Sequence, residues 1–246
     1  MSERTEFSSG RDHAMKTGRK YCLVAVFTMV LGFLGQTAGP LAPPASAAAQ
    51  QQNVVQLQGF GATYGEWSAR WWQCALSIPA QVNPILDTTG VNCAQGQEDD
   101  VWFLAGTFGG TVTRTCTIPA GKPIFFPLIN NVGLKPFGYE TLLDLRRLAA
   151  GLIDTVTVLQ ATIDGTAAQD LFSFRFRSPS FTVIPPPHGL LPPGWTKVPG
   201  NTDPIVSDGY WLLLSPLPAG PHVIHFHAET SGGFALDVTY NLTIAP

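Results

Sequence analysis

Short apolar segments that alternate with polar residues dominate the second half of the chain. In residues 171–177, 222–229 and 234–244, apolar side chains recur at every second position. Such alternation is typical of strands that are buried on one face only. Turn residues separate the segments, and the chain contains 25 Gly and 21 Pro, as short strands joined by tight turns require. These segments predict an all-β fold, a β-sandwich of the immunoglobulin-like or jelly-roll-like type.

Two other segments have the period of an α-helix. Thr63 and Glu66 have the spacing of a capping box, and aromatic residues follow at intervals of three and four. They predict a helix over residues 63–77 whose tryptophan-rich face packs in the core. Leucines at the same spacing predict a second helix over residues 140–151. We therefore expect a single β-sandwich domain over residues 48–246 with two added helices.

A pair of glycines predicts one of the strand connections. Gly109 and Gly110 separate the apolar segment 101–108 from the alternating segment 111–118. Because a two-residue glycine loop favours a tight β-hairpin, we expect these two segments to pair as antiparallel neighbours.

The N-terminal 47 residues have the pattern of a secretory signal peptide. Lys16, Arg19 and Lys20 precede the mainly apolar run 21–34, and a small-residue cleavage site follows at residues 45–47. Met15 offers a second start for the same signal. The run is shorter than the roughly 20 residues that span a bilayer, so an uncleaved anchor is the less favoured alternative. We expect a secreted protein, periplasmic or extracellular, that meets the membrane only through this signal before cleavage.

Charge excludes one class of partner. Residues 48–246 contain nine Lys and Arg against fourteen Asp and Glu. A domain with this acidic balance and no basic cluster is not expected to bind nucleic acid.

Three cysteines follow the signal peptide: Cys74, Cys93 and Cys116. An oxidising compartment favours one disulfide and leaves one thiol. We favour Cys93 with Cys116, because the first lies in a polar loop and the second on a strand nearby. Cys74 with Cys93 is the competing pairing, although Cys74 on its aromatic helix is better explained as a small buried side chain.

Two histidines provide the sharpest candidate metal site. His225 and His227 are two residues apart on a predicted strand and therefore share a face. With His188 or Glu229 as a third ligand, they could hold zinc or copper, although polar surface explains the pair as well. The acidic residues Glu98, Asp99, Asp100 and Asp87 lack the alternating ligand pattern of a calcium loop. We therefore expect solvated charge there and no cofactor.

Aromatic residues provide the candidate ligand site. Trp195 lies in the long proline-rich segment 185–203, and Tyr210 and Trp211 lie on a nearby strand. Aromatic rings on a secreted β-sandwich can stack on sugars or grip a partner surface. We expect these three residues to line a ligand groove, although the apolar strand around Trp211 also fits the core.

Four blocks of sequence resemble one bacterial family: Glu66–Gln73, Val101–Gly110, Arg114–Asn130 and Ser207–Gly220. That family consists of uncharacterised secreted proteins that carry a signal peptide and a β-rich domain. The resemblance implies export and a single domain. It implies no reaction, substrate or catalytic residue.

Together these patterns predict a non-catalytic envelope or extracellular domain that binds a glycan or a protein surface. The chain has no nucleophile elbow, zinc-protease helix, C-x-x-C pair or Walker A motif. A metal-dependent enzyme centred on His225 and His227 and a purely structural envelope protein are the two alternatives.

Overall fold

The computed structural model describes residues 58–135, 141–191 and 203–246. The described residues all belong to one compact unit. The signal-peptide pattern and Trp195 lie outside the described residues. The strands are β1 Gln58–Gly59, β2 Ala62–Thr63, β3 Trp102–Phe103, β4 Gly110–Pro119, β5 Ile124–Gly133, β6 Val156–Ile163, β7 Thr166–Ala167, β8 Arg175–Arg177, β9 Val206–Leu214, β10 Gly220–Thr230 and β11 Ala235–Ala245.

The longer strands form two sheets. One has the order β4-β11-β10-β6-β7, and the other has the order β3-β5-β9-β8. The pairs β4–β11 and β3–β5 are parallel, and the remaining pairs in these sheets are antiparallel. The prediction of an all-β sandwich with two added helices is confirmed.

Alternation along the strands produces the core between the sheets. On β10 the side chains of Ile224, Phe226 and Ala228 are fully buried, whereas the residues between them are partly exposed. Strand β9 differs, because it is buried along its whole length. One of its faces meets the other sheet and the opposite face meets the first helix, which explains why its second half, Tyr210 to Leu214, is apolar without alternation.

Helix α1 (Tyr64–Ser77) forms as predicted. Its N-cap Thr63 and Glu66 make both hydrogen bonds of a capping box. Its tryptophan-rich face packs on the sheet that contains β5 and β9.

Helix α2 (Leu142–Ile153) begins slightly later than predicted, with Thr141 as its N-cap. Its buried face consists of Leu145, Ala149 and Ile153. Of the leucines expected on that face, Leu145 is buried, Leu148 and Leu152 are half-buried, and Leu142 is exposed. Glu140 lies outside the described residues. Neither helix, within the part of the chain described here, is long and apolar enough to cross a membrane.

The predicted hairpin around Gly109 and Gly110 is wrong. Only Trp102–Phe103 of the first segment is a strand, and it pairs with β5, whereas β4 pairs with β11 in the other sheet. A second difference concerns residues 171–177, which form a 3-10 helix (Leu171–Phe174) before the short β8. There the positive φ of 55° at Asp170 turns the chain before a regular strand can start.

The predicted disulfide between Cys93 and Cys116 is confirmed, and Cys74 is a free, half-buried thiol. Burial raises the pKa of Cys74 to about 12, assisted by the nearby Asp99 and Glu98. The disulfide joins the loop after α1 to β4.

Removing the disulfide should lower the free energy of unfolding. We expect the Cys93→Ser/Cys116→Ser variant to lose about 3 kcal/mol of unfolding free energy, because a crosslink of this span restricts the unfolded chain. Urea unfolding measures the loss, and Cys74→Ser serves as the control with a change below about 1 kcal/mol. Equal losses in the two variants would contradict a specific role for the crosslink.

The capping box of α1 should give the protein a small acid sensitivity. Hydrogen bonds from the Thr63 backbone N–H and hydroxyl lower the pKa of Glu66 below its usual value. The stabilisation is therefore complete above about pH 4.3 and is lost as the pH falls through the lowered pKa. Wild type should melt above Glu66→Gln at neutral pH and converge with it near about pH 2. A constant difference at all pH values would contradict this account.

Candidate ligand-binding cleft

A cleft of about 150 Å³ lies beside the middle of β5. Strand β3 pairs with β5 only at Ile124 and Phe125, and no strand in the described part of the chain covers that edge of β5 beyond Phe125. Pro127 lies at this uncovered edge, where a proline leaves no backbone N–H without a partner. The register between β5 and β9 shifts between Pro127 and Ile129. A shift of this kind re-aims the side chains on either side of it.

The wall opposite β5 is held by a buried arginine. Arg114 of β4 is 1% exposed, and its guanidinium donates to the carbonyls of Ala105 (2.7 Å) and Gly106 (3.0 Å). It also donates to the carbonyls of Asp87 (2.6 Å) and Ile85 (3.2 Å). These bonds fix the chain after β3 in place as the wall of the cleft that faces β5.

A buried tyrosine completes this support. The Tyr240 hydroxyl accepts from the Ala105 N–H at 3.1 Å and donates to the Ala105 carbonyl at 3.0 Å. It also accepts from Arg114 at 3.0 Å. Burial raises the pKa of Tyr240, with the nearby Arg114 acting in the opposite direction. The hydroxyl therefore stays protonated and acts as a structural group.

Aromatic rings form much of the lining. Trp71 and Trp72 of α1 are in edge contact at 5.1 Å between ring centres, and both line the cleft. At the mouth, Phe108 is 63% exposed and Phe234 is half-buried. Phe234 packs over Gly109, whose φ of +108° few other residues would adopt.

Two residues of the lining carry a buried N–H group that has no hydrogen-bond partner among the described residues. These groups are the indole Nε1 of Trp72 and the amide Nδ2 of Asn130. Their neighbours in sequence are satisfied, because Trp71 Nε1 donates to the Leu104 carbonyl (2.9 Å) and Asn131 Nδ2 donates to the Leu148 carbonyl (3.1 Å). The cleft has mainly apolar walls with a few polar side chains, the composition expected of a small-molecule site.

The lining lacks the groups that catalysis uses. Among the described residues that line the cleft, none is an acid, a base, a cysteine, a tyrosine or a serine. Its one hydroxyl, on Thr107, donates to the Gly109 carbonyl at 3.2 Å. The described lining thus contains no general acid, general base or activated nucleophile.

A second depression on the protein surface is larger than the cleft, but fewer structural elements line it. It measures about 550 Å³ and is lined by one continuous segment, residues 168–173, together with Leu159. Because it lacks walls from several elements, it holds a ligand less well than the cleft.

The candidate metal pair lies on the outer face of the other sheet. His225 Nε2 is 3.1 Å and His227 Nδ1 is 3.4 Å from the same oxygen of Asp237. His227 Nε2 also contacts Glu229 at 3.0 Å. No group of three or more His, Cys, Asp and Glu in residues 58–135, 141–191 and 203–246 is arranged to hold a metal ion. The histidines thus take part in a surface network of hydrogen bonds and charges.

The other proposed ligands lie elsewhere. The His188 carbonyl accepts from the Ala80 N–H beyond the end of α1, and no contact joins His188 to the histidine pair among the described residues. Asp87 accepts bonds from Thr89 and Asn92, so its oxygens order their own loop. Partial burial of the Asp87 carboxyl favours a higher pKa, but these hydrogen bonds outweigh that effect and lower the pKa of Asp87. Glu98 and Asp100 are exposed, as expected of solvated charge.

The two strand residues of the predicted aromatic groove, Tyr210 and Trp211, are buried and do not line a surface groove. Trp211 has no exposed surface and stacks on Phe125, with 5.1 Å between ring centres, and Tyr210 is 6% exposed. Buried rings cannot contact a glycan at the surface. The part of that hypothesis that concerns Trp195 stays a prediction.

Comparisons with protein-family models, curated proteins and solved structures found no match to this chain. The resemblance to a secreted bacterial family therefore stays a prediction.

Proposed function

We propose that the protein is an exported, non-catalytic binding protein whose cleft receives a ring-sized, mainly apolar group of its ligand. The observation that carries this proposal is the combination of apolar walls and a described lining free of titratable groups. An apolar cavity of about 150 Å³ is large enough for a benzene-sized molecule.

Export is supported by two features. Residues 1–47 have the pattern of a secretory signal. The disulfide between Cys93 and Cys116 is of a kind that persists in oxidising compartments.

The lining favours an apolar group over a sugar. A pyranose carries several hydroxyl groups, and each one buried without a partner costs free energy. The lining of the cleft is largely apolar, and its Thr107 hydroxyl and Asn131 amide already donate to backbone carbonyls. A small ring compound, or an aromatic side chain of an envelope protein, meets these demands better than a glycan does.

A blocking variant tests the proposal. A Cβ added to Gly106 would meet Pro127 at 3.7 Å, an ordinary contact, so Gly106→Ala should be tolerated, whereas Gly106→Leu should fill the cleft. We expect toluene to shift the indole N–H resonances of wild type and Gly106→Ala but not of a folded Gly106→Leu. No response to toluene in wild type, or an equal response in Gly106→Leu, would overturn the proposal. A response to chitotriose that Gly106→Leu abolishes would favour the glycan alternative.

A further inference from the structure

We propose a second binding site, in which Arg146 and Arg177 bind a phosphoryl group while the buried Asp208 holds Arg177 in position. The site goes beyond the function proposed above and shares no residue with the lining of the cleft. Its basis is a group of three arginines, Arg146, Arg175 and Arg177, which we call the arginine cluster. These are three of the nine basic residues in 48–246, a segment that also contains fourteen acidic residues.

Two strands and one helix bring the arginine cluster together. Arg175 and Arg177 are two residues apart on β8 and therefore share a face of the sheet. Arg177 lies directly opposite Asp208 of β9, and both arginines donate to the same Asp208 oxygen. Arg146 of α2 reaches the same place, because its guanidinium donates to the carbonyl of Ser178, the residue after Arg177. The cluster thus lies at the β8 edge of its sheet.

The cluster carries more positive charge than its carboxylates balance. Asp208 is shared between Arg175 and Arg177, and Asp154 contacts Arg175. Within the described part of the chain, Arg146 forms no ion pair. Burial lowers the pKa of Arg146, and the neighbouring Arg177 lowers it further, with Asp208 acting in the opposite direction. An anion bound by both Arg146 and Arg177 would replace this repulsion with attraction.

The two proposed ligands have donors to spare. The side chain of Arg177 is 62% exposed, and its Nε is the atom that donates to Asp208. Neither Nη of Arg177 donates a hydrogen bond to any described residue. Arg146 is half-buried and uses its Nη1 for the Ser178 carbonyl. The 1% exposed carboxylate of Asp208 therefore fixes Arg177 through Nε and leaves the two Nη groups for a ligand.

These donors favour a phosphoryl group over a carboxylate. Guanidinium groups match the oxygens of either anion and form charge-assisted hydrogen bonds with them. A phosphoryl group offers three strong acceptor oxygens in different directions and carries close to two negative charges at neutral pH. It can therefore accept from two guanidinium groups that come from a helix and a strand. A carboxylate has two oxygens in one plane and a single charge.

Titration with inorganic phosphate at neutral pH and constant ionic strength tests the inference. We expect saturable binding to wild type and binding at least about tenfold weaker to Arg177→Gln. Arg147→Gln is the matched control and should bind as wild type does. It removes the same charge beside Arg146, at an exposed residue whose ion pair with Asp144 is long (3.7 Å).

Wild-type protein provides a readout that does not depend on the folding of Arg177→Gln. Phosphate should shift the Nε–H resonance of Arg177 and leave that of the buried Arg114 in place. An unmoved Arg177 resonance, equal phosphate affinity in Arg177→Gln, or tighter binding of acetate than of phosphate would overturn the inference. None of these results bears on the response of the cleft to toluene, so the two proposals fail separately.

A vesicle assay identifies the source of the phosphoryl group. Sedimentation of wild type, but not of Arg177→Gln, with phosphatidylglycerol vesicles would support a lipid headgroup. Phosphate binding without such sedimentation would support a soluble phosphate.

Discussion

Replacing Arg114 by methionine is expected to lower the free energy of unfolding by about 3 to 5 kcal/mol. The guanidinium is buried and makes five hydrogen bonds, four of them to backbone carbonyls. Methionine fills much of the same volume but cannot donate a hydrogen bond, so four backbone carbonyls lose a donor and, among the described residues, only the Ala105 carbonyl keeps another, the Tyr240 hydroxyl. Urea unfolding followed by tryptophan fluorescence measures the loss.

Two control variants distinguish the effect of losing these hydrogen bonds from the effect of losing a positive charge. Arg147 is exposed and forms only a long ion pair with Asp144 (3.7 Å), so Arg147→Met should change stability by less than about 0.5 kcal/mol. Tyr240→Phe removes one member of the network and should cost about 1 to 2 kcal/mol. A loss below about 1 kcal/mol in Arg114→Met would show that the wall of the cleft does not depend on Arg114.

The second large effect is expected at Asp208. Its carboxylate, 1% exposed, receives two hydrogen bonds from Arg175 at 2.9 Å and one from Arg177 at 3.0 Å. These bonds raise the pKa of Arg175 further above its ordinary value. Asp208→Asn keeps the shape but removes the charge that balances two guanidinium groups. We expect it to lose about 3 kcal/mol, because breaking a buried ion pair leaves its partners uncompensated.

Asp154 is the matched control for Asp208. It also contacts Arg175, at 2.7 Å, but its side chain is 59% exposed. Asp154→Asn should therefore cost less than about 1 kcal/mol, as exposed ion pairs usually do. Thermal unfolding of both variants under the same conditions gives the comparison. Similar losses would mean that burial of Asp208 does not determine its contribution.

Local patterns predicted much of this fold. The capping box at Thr63 and Glu66, followed by a stripe of tryptophans, was sufficient to predict α1. The alternation in residues 222–229 and 234–244 predicted β10 and β11, because one face of each strand is buried. The disulfide followed from three cysteines and a single plausible strand neighbour.

Long-range contacts decided what local patterns did not. Gly109 and Gly110 have the signature of a hairpin, but the chain before them is held by the nearby Arg114 on β4 and by Tyr240 on β11, which is 135 residues from its partner Ala105. Those bonds leave β3 with only two residues and place β4 beside β11 instead. An arginine among alternating apolar positions was the available signal, since such a residue must find buried acceptors.

The cleft was missed for a similar reason. Trp72 was correctly placed on the packed face of α1, but sequence alone could not show that its N–H lacks an acceptor. The one local signal was Pro127 in an otherwise apolar strand, which indicates an edge or a bulge. The predicted aromatic groove used Tyr210 and Trp211, whose strand is covered on both faces. A tryptophan in a continuous apolar run is better explained by the core than by a ligand site.

The most direct test of the central claim is the anomalous map of crystals soaked in bromobenzene. We expect a bromine peak in the cleft between Trp72 and Pro127, and no such peak in crystals of Gly106→Leu. A cleft that contains only water in wild type, or bromine bound elsewhere with the cleft empty, would contradict the claim that this cavity is a ligand site.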